Sequence, residues 1–366
     1  MQILQKPNSI SFENNLKDII IQKTGSETAV IFRLYQGANL VIEENYVFDT
    51  QGYVYIRDLS NLVAFYFSNS IMTYTGYTAY TGLIKTFTFT LNGASDVDFR
   101  VIRSAAVISG ISATGFIRSG FLTRTAQSKR TDVNSNEFLS FVQLIQDGTW
   151  TVNYKIFYKS GANILETSGV LIQIPSGLDR IVTFNASLKT VLSAASLTPD
   201  QVFEYRIWAS NSNLNITFNQ YSFFPDYSIY RHKNVFVFEN CFGVPEVFIS
   251  TGETVSNRKL DAGFAFSGQR MRKSTQEFEI SHDCNSGYLS IKEMDWLDDF
   301  ITSYNISLMR KGTLQEVVLT ETDKFQTDRN SLQSFNFKYR FSGHVHIQIN
   351  KSVSGIFDYT FDNSFE

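Results

Sequence analysis

The sequence predicts a mainly β chain of several antiparallel β-sandwich domains, with one short amphipathic helix in the C-terminal part. Three observations predict it. Apolar and polar residues alternate with a period of two along most of the chain, which places successive side chains on opposite faces of a strand. Aromatic residues are abundant, with 33 Phe and 18 Tyr against 18% charged residues, and such side chains suit the pleated surface of a sheet. A strong three- and four-residue spacing is written between Lys292 and Tyr304, where Met294, Trp296, Leu297, Phe300, Ile301 and Tyr304 gather on one side of a helix.

A chain of 366 residues is too long for one ordinary core, so two or three domains are expected. The first spans 1–80. Ile10/Phe12, Ile19/Ile21, Val30/Phe32/Leu34, Val41, Tyr46/Phe48 and Tyr53/Tyr55 alternate, with Gly25, Gly37 and Gly52 at the expected turns. Leu59 to Phe67 reads equally as a buried strand or a short helix.

A second unit, 81–232, is expected to be a jelly-roll-like sandwich. It opens on Phe87, Phe89 and Leu91, with Thr86, Thr88 and Thr90 on the other face, and reaches an Asn92-Gly93 turn. Further strands follow at Phe138 to Leu144, Val152 to Tyr158, Val170 to Ile174 and Phe203 to Ile207, with a short helix at Leu188 to Ala195.

The third unit, 233–366, opens on Val235 to Phe238 and turns at Gly243-Val244-Pro245. It contains the helix 292–304, capped by Ser290 with Glu293 three residues on. The alternating Phe335, Phe337, Tyr339 and Phe341 follow. Glu293, Asp295, Asp298 and Asp299 read as the free, acidic face of that helix near its N-terminal end.

Function classes narrow by exclusion. Net charge of −3 argues against non-specific binding to a polyanion, so a nucleic-acid partner is not expected. No apolar run approaches the roughly 20 residues that span a bilayer or the length of a signal peptide, which leads to an expectation of synthesis and retention in the cytoplasm. Cys241 and Cys284 have no metal-ligand spacing and read as buried thiols. His344 and His346 share a strand face, but two ligands make no metal site. The neighbouring carboxylates Glu43/Glu44, Asp96/Asp98 and Asp298/Asp299 carry no sign of converging on a cleft. There is no G-x-S-x-G elbow, no phosphate-binding glycine loop and no H-E-x-x-H, so neither an enzyme nor a cofactor is expected. Trp150, Trp208 and Trp296 all lie inside strand or helix patterns and read as core residues.

Charge distribution is more informative. Arg100, Arg103, Arg118, Arg124, Lys129 and Arg130 fall in a stretch with no acid between Asp98 and Asp132, and Arg270, Arg272 and Lys273 form a smaller basic group. Two readings stay open. Arg118, Arg124 and Arg130 meet Asp298 and Asp299 across a contact between subunits, with the tail aromatic Phe361 docking on a neighbour, or the basic residues meet acids of their own chain.

Several short segments together carry a resemblance: Phe121-Leu122-Thr123-Arg124, Asn136-Glu137-Phe138-Leu139-Ser140, Tyr154 to Tyr158, Phe242-Gly243-Val244-Pro245-Glu246, Trp296-Leu297-Asp298-Asp299-Phe300-Ile301-Thr302-Ser303 and Phe335-Asn336-Phe337-Lys338-Tyr339-Arg340. In these the chain resembles tail proteins encoded by tailed phages and prophages of Bacteroidetes bacteria. The resemblance implies a virion structural protein of the tail tip or baseplate, comparable to distal tail proteins. Its partners would be copies of itself in a homo-oligomeric ring and other tail proteins, with a host-surface receptor engaged indirectly. It brings no catalytic residues, and no tube-forming hairpin is evident in the sequence. The rival expectation is a receptor- or glycan-binding protein of the virion that uses the middle sandwich.

Overall fold

A computed structural model describes residues 1–68, 76–93, 97–125, 127–198, 201–267, 270–310, 312–323 and 333–343, with the backbone alone at 265–267 and 272–277. The chain is mainly β, as its alternation predicts, and its strands form five sheets. His344, His346 and Phe361 lie outside the described residues.

The N-terminal unit stacks two sheets. Gln2–Gln5, Ile19–Gln22 and Tyr53–Ile56 form a three-stranded sheet in that order. Ile10–Phe12, Val97–Ile102, Ile84–Leu91, Ala29–Gln36 and Asn39–Val47 form a five-stranded one. Ile19, Ile21, Phe32, Leu34, Phe87, Phe89 and Phe99 fill the space between them, and the segment with two readings resolves as the helix Leu59–Ala64, which closes one end through Leu59 and Val63. The expected boundary at residue 80 is therefore corrected. Strand Ile84–Leu91 pairs with Ala29–Gln36, Phe89 opposite Leu34, and so completes the first core. A strand's own residues do not say which sheet it joins; that is fixed by partners distant in sequence.

The middle sandwich begins with Tyr77–Tyr80, which pairs with Arg180–Asn185, itself paired on its other side with Phe138–Gln143. Opposite runs the sheet Ser128–Asp132, Tyr221–Asp226, Gln201–Asn211, Trp150–Ser160 and Asn163–Ile174. The edge strand Ser128–Asp132 runs parallel to its neighbour, against the antiparallel expectation. Between the sheets, Phe141 contacts Trp150, and Tyr205 stacks on Phe223 at 4.9 Å. Helix Leu188–Ala195 is present as read, capped by Ser187.

The C-terminal unit is one seven-stranded sheet rather than a sandwich, ordered Pro245–Ser250, Asn234–Glu239, Ile306–Arg310, Thr313–Asp323, Asn336–Phe341, Arg270–Asn285 and Thr254–Ser267. The helix is present, with the predicted reciprocal cap between Ser290 and Glu293, but it is two short pieces, Ile291–Trp296 and Asp298–Thr302, meeting at Leu297. Met294, Trp296, Leu297 and Phe300 pack on Phe236, Phe238, Phe248 and Phe337. Tyr304 lies past the helix and is 92% exposed, so it leaves the apolar stripe assigned to it.

At the strands Asn234–Glu239 and Pro245–Ser250 the other face of that sheet is buried too. Val237 and Val247 pack on Phe138 of the middle sandwich, which explains why Val235 to Phe238 reads as a continuous apolar run. A second junction draws on all three units: Phe12 and Ile102, Val142 and Ile181, and Phe242 and Val244 share one buried cluster. The units are welded through apolar cores.

Candidate assembly surfaces

The basic stretch is answered within its own chain. Helix Ala113–Ser119 carries Arg118, whose guanidinium donates two bonds of 2.7 and 2.6 Å to Asp147, a carboxylate with no exposed surface. Asp147 also accepts from the Leu144 amide, so the pair fastens this helix to the start of the sandwich. Arg124 donates to Asp299 at 2.7 Å, and the Cys241 amide donates to the other oxygen at 3.2 Å. Arg130, 60% exposed, pairs with Asp226, which also accepts from Tyr230 at 2.6 Å. Burial opposes ionisation of Asp226, but bonds from Tyr230 and Ser228 and the Arg130 charge outweigh it and hold the carboxyl at about 2.

Asp299 is thus not on a free helix face, as the sequence reading placed it; it is buried and turned toward the middle sandwich. Half-buried Asp298 adds its charge near Arg124. The structure brings Arg124, Asp298 and Asp299 together, while Arg118 and Arg130 each pair with other acids of the same chain.

Sequence reasoning missed the polar centre of the seam. Lys129 donates to Glu137 at 2.7 Å and to the Val247 carbonyl, with its ammonium 5.0 Å above the Trp296 ring. The Trp296 indole donates to Glu246, which also accepts from Asn240 at 2.8 Å. Burial raises both carboxyls, Glu137 and Glu246, against the opposing pull of Lys129. Nothing in a strand-like stretch marks a glutamate as buried; its donors come from elements far away in sequence. Above this network lies a small cleft of about 70 Å³ between Lys129, Arg130, Lys233, Tyr288 and Trp296, and its cations Arg130 and Lys233 are paired with Asp226 and Asp132. The seam is a joint.

A surface of different character projects from the far edge of the C-terminal sheet. Thr254–Ser267 and Arg270–Asn285 form a hairpin of 14- and 16-residue strands, of which, among the described residues, only His282–Asn285 pair with the rest of the sheet. Beyond Ser281 a two-stranded arm continues for roughly 35 Å at about 3.3 Å per residue. Alternation and register put Leu260, Phe264, Met271 and Phe278 on the face that continues from buried Cys284. Leu260 is 48% exposed, Phe264 58% and Met271 61%. The sequence signal for this arm is the Ser267-Gly268 pair between Phe264/Phe266 and Met271, which reads as a turn between strands.

No protein-family model matches the chain, and no curated protein is similar to it. Among the described residues, no group of three or more His, Cys, Asp or Glu is placed to hold a metal ion, and no helix is long and apolar enough to cross a membrane. The adjacent carboxylates diverge: Glu43 pairs with Arg33, Glu44 accepts from Tyr46, and Asp98 accepts from Thr88 at 2.6 Å.

Proposed function

We propose that the protein is a non-enzymatic structural subunit of a phage tail tip or baseplate, or of a related particle, and forms a symmetric ring joining the tail tube to hub or receptor-binding proteins. The observation that carries this reading is the arm of Thr254–Ser267 and Arg270–Asn285. An isolated two-stranded ribbon is marginal in water, and one that exposes a row of large apolar side chains gains most of its stability by lying on another surface. The three units behind it are joined by shared cores, so the chain acts as a stiff body that holds the arm at a set angle. Stiff bodies that repeat one contact are what closed rings need. The arm also supplies the long hairpin that the sequence did not reveal.

A glycan-binding role for the middle sandwich has less in its favour. Of the sandwich's two tryptophans, Trp150 has no exposed surface and half-buried Trp208 packs against the core, so neither offers a free face to a sugar.

Static light scattering at micromolar concentration, followed by electron imaging, tests the proposal. A defined mass of several chains and closed rings are expected; a persistent monomer that enters no particle overturns it.

A further inference from the structure

The arm needs a seat, and the N-terminal unit offers one. Strand Asn39–Val47 is the outer strand of the five-stranded sheet and Tyr53–Ile56 the outer strand of the three-stranded one. Among the described residues, each pairs on one side only, with Ala29–Gln36 and Ile19–Gln22 respectively. Between them opens a groove of about 580 Å³, lined on its apolar side by Tyr46, Tyr53, Tyr55 and Leu62. Two sheet edges with unpaired backbone groups form a template for an added strand.

Charge identifies the occupant. The groove wall carries Glu44, Asp49 and Asp58 against the single cation Arg57. The arm carries the opposite pattern: between Arg258 and Lys273 the sequence holds five basic residues and one acid, Asp261. Arg258, Lys259 and Arg270 are exposed.

The geometry points to a head-to-tail contact in which the arm of one copy lies in the N-terminal groove of the next. Its apolar face covers the tyrosine-lined wall, its backbone pairs with one groove edge, and its basic residues meet Glu44, Asp49 and Asp58. Arm and groove are different surfaces of one chain, so the contact is heterologous and repeats until the ring closes. This assignment rests on the ring-subunit reading and names the two faces that join.

Charge exchange tests it on the full-length protein. The groove variant Glu44→Lys/Asp58→Lys and the arm variant Arg258→Glu/Arg270→Glu are each expected to fall to the mass of one chain, 41.7 kDa, in light scattering. An equimolar mixture is expected to assemble again, to the wild-type mass where the ring has an even number of copies, because each reversed arm then meets a reversed groove. Circular dichroism and thermal midpoints confirm that both variants fold. Glu44→Gln/Asp58→Asn, which keeps a residue suited to the left-handed backbone at position 58, should weaken assembly in the same direction. Wild-type mass in both reversed variants overturns the groove assignment while leaving the ring intact. Monomers that do not recover on mixing also overturn it, and a monomeric wild type overturns the ring reading as well.

Discussion

Arg124 Nη1 lies 2.7 Å from Asp299 Oδ1, and the two residues, 175 positions apart, tie the middle sandwich to the C-terminal helices. Asp299 is 3% exposed, so protein donors must supply the hydrogen bonds that water would otherwise make. Arg124→Ala leaves the buried Asp299 side chain without its guanidinium partner. Because Arg124 itself is partly exposed, water returns some of the loss, and about 2–3 kcal/mol of destabilisation is expected. Urea unfolding of Arg124→Ala and Arg124→Ala/Asp299→Asn measures it, the double variant recovering part of the loss. Equal midpoints for wild type and single variant would show that the pair contributes nothing to the joint.

The helix pieces that carry Asp299 also supply the apolar half of that joint. Trp296→Ala removes a buried ring, the indole bond to Glu246 and the platform under Lys129, and should cost about 3–5 kcal/mol, with Leu297→Ala at about 2–5 kcal/mol. Tyr304→Ala, beyond the last turn, should stay within about 0.5 kcal/mol. Thermal melts of the three variants decide it, and a Tyr304→Ala protein as unstable as Leu297→Ala would return Tyr304 to the stripe.

How far the sequence reads correctly follows from the range of the interactions involved. The Ser290–Glu293 cap is visible because donor and acceptor lie three residues apart. Phe87 and Phe89 are visible as inward residues of a strand, but not as residues of the first core, since only their pairing with Ala29–Gln36 decides that. Asp299 reads as solvent-facing because acids at a helix start usually are; its burial follows from Arg124 and the Cys241 loop, which approach from elsewhere. The arm escaped notice because its apolar residues are interleaved with charges and serve no core of their own. The paired basic residues could not be told from an interface, since one sequence pattern serves both.

Asp226 sets a pH dependence. Its folded value of about 2 lies below the free 3.8, so the ionised form stabilises the fold above that range, and the contribution is lost as pH falls from 3.8 toward about 2. Glu137 and Glu246 work in the opposite sense: burial raises both, so the cost of ionising them is relieved as pH falls. The Asp226→Asn variant is expected to be less stable than wild type at about pH 6, with the gap narrowed by roughly half at about pH 3. Urea midpoints at the two values check this, and a gap that stays constant would rule out Asp226 as the titrating group.

Gly243 tests the three-unit junction. Its φ of +74° is left-handed, and a Cβ there would stand 2.9 Å from Arg103 Cδ and 3.2 Å from Leu83 Cδ2. Gly312 has a similar φ of +80° with nothing within 4 Å. Gly312→Ala should therefore cost only the backbone term, about 1 kcal/mol, and Gly243→Ala about 1–2 kcal/mol more as the neighbours yield. Chemical unfolding of both separates conformational strain from crowding; equal losses would mean that the junction has room to spare.

The arm predicts an uncoupling of stability from assembly. Leu260 and Phe264 are half exposed in the single chain, so Leu260→Ser/Phe264→Ser removes little that is buried there and should leave the monomer's thermal midpoint nearly unchanged, within about 0.5 kcal/mol per site. In an assembly the remaining exposed half of each side chain would be covered, contributing about 0.8–1.5 kcal/mol of apolar burial apiece at every contact. Their loss should weaken assembly by at least tenfold in the concentration at which it half-forms. Mass photometry across a dilution series reads that concentration, and calorimetry on the dilute sample reads the midpoint. A variant that assembles at the wild-type concentration would show that the exposed apolar face is not what holds the copies together.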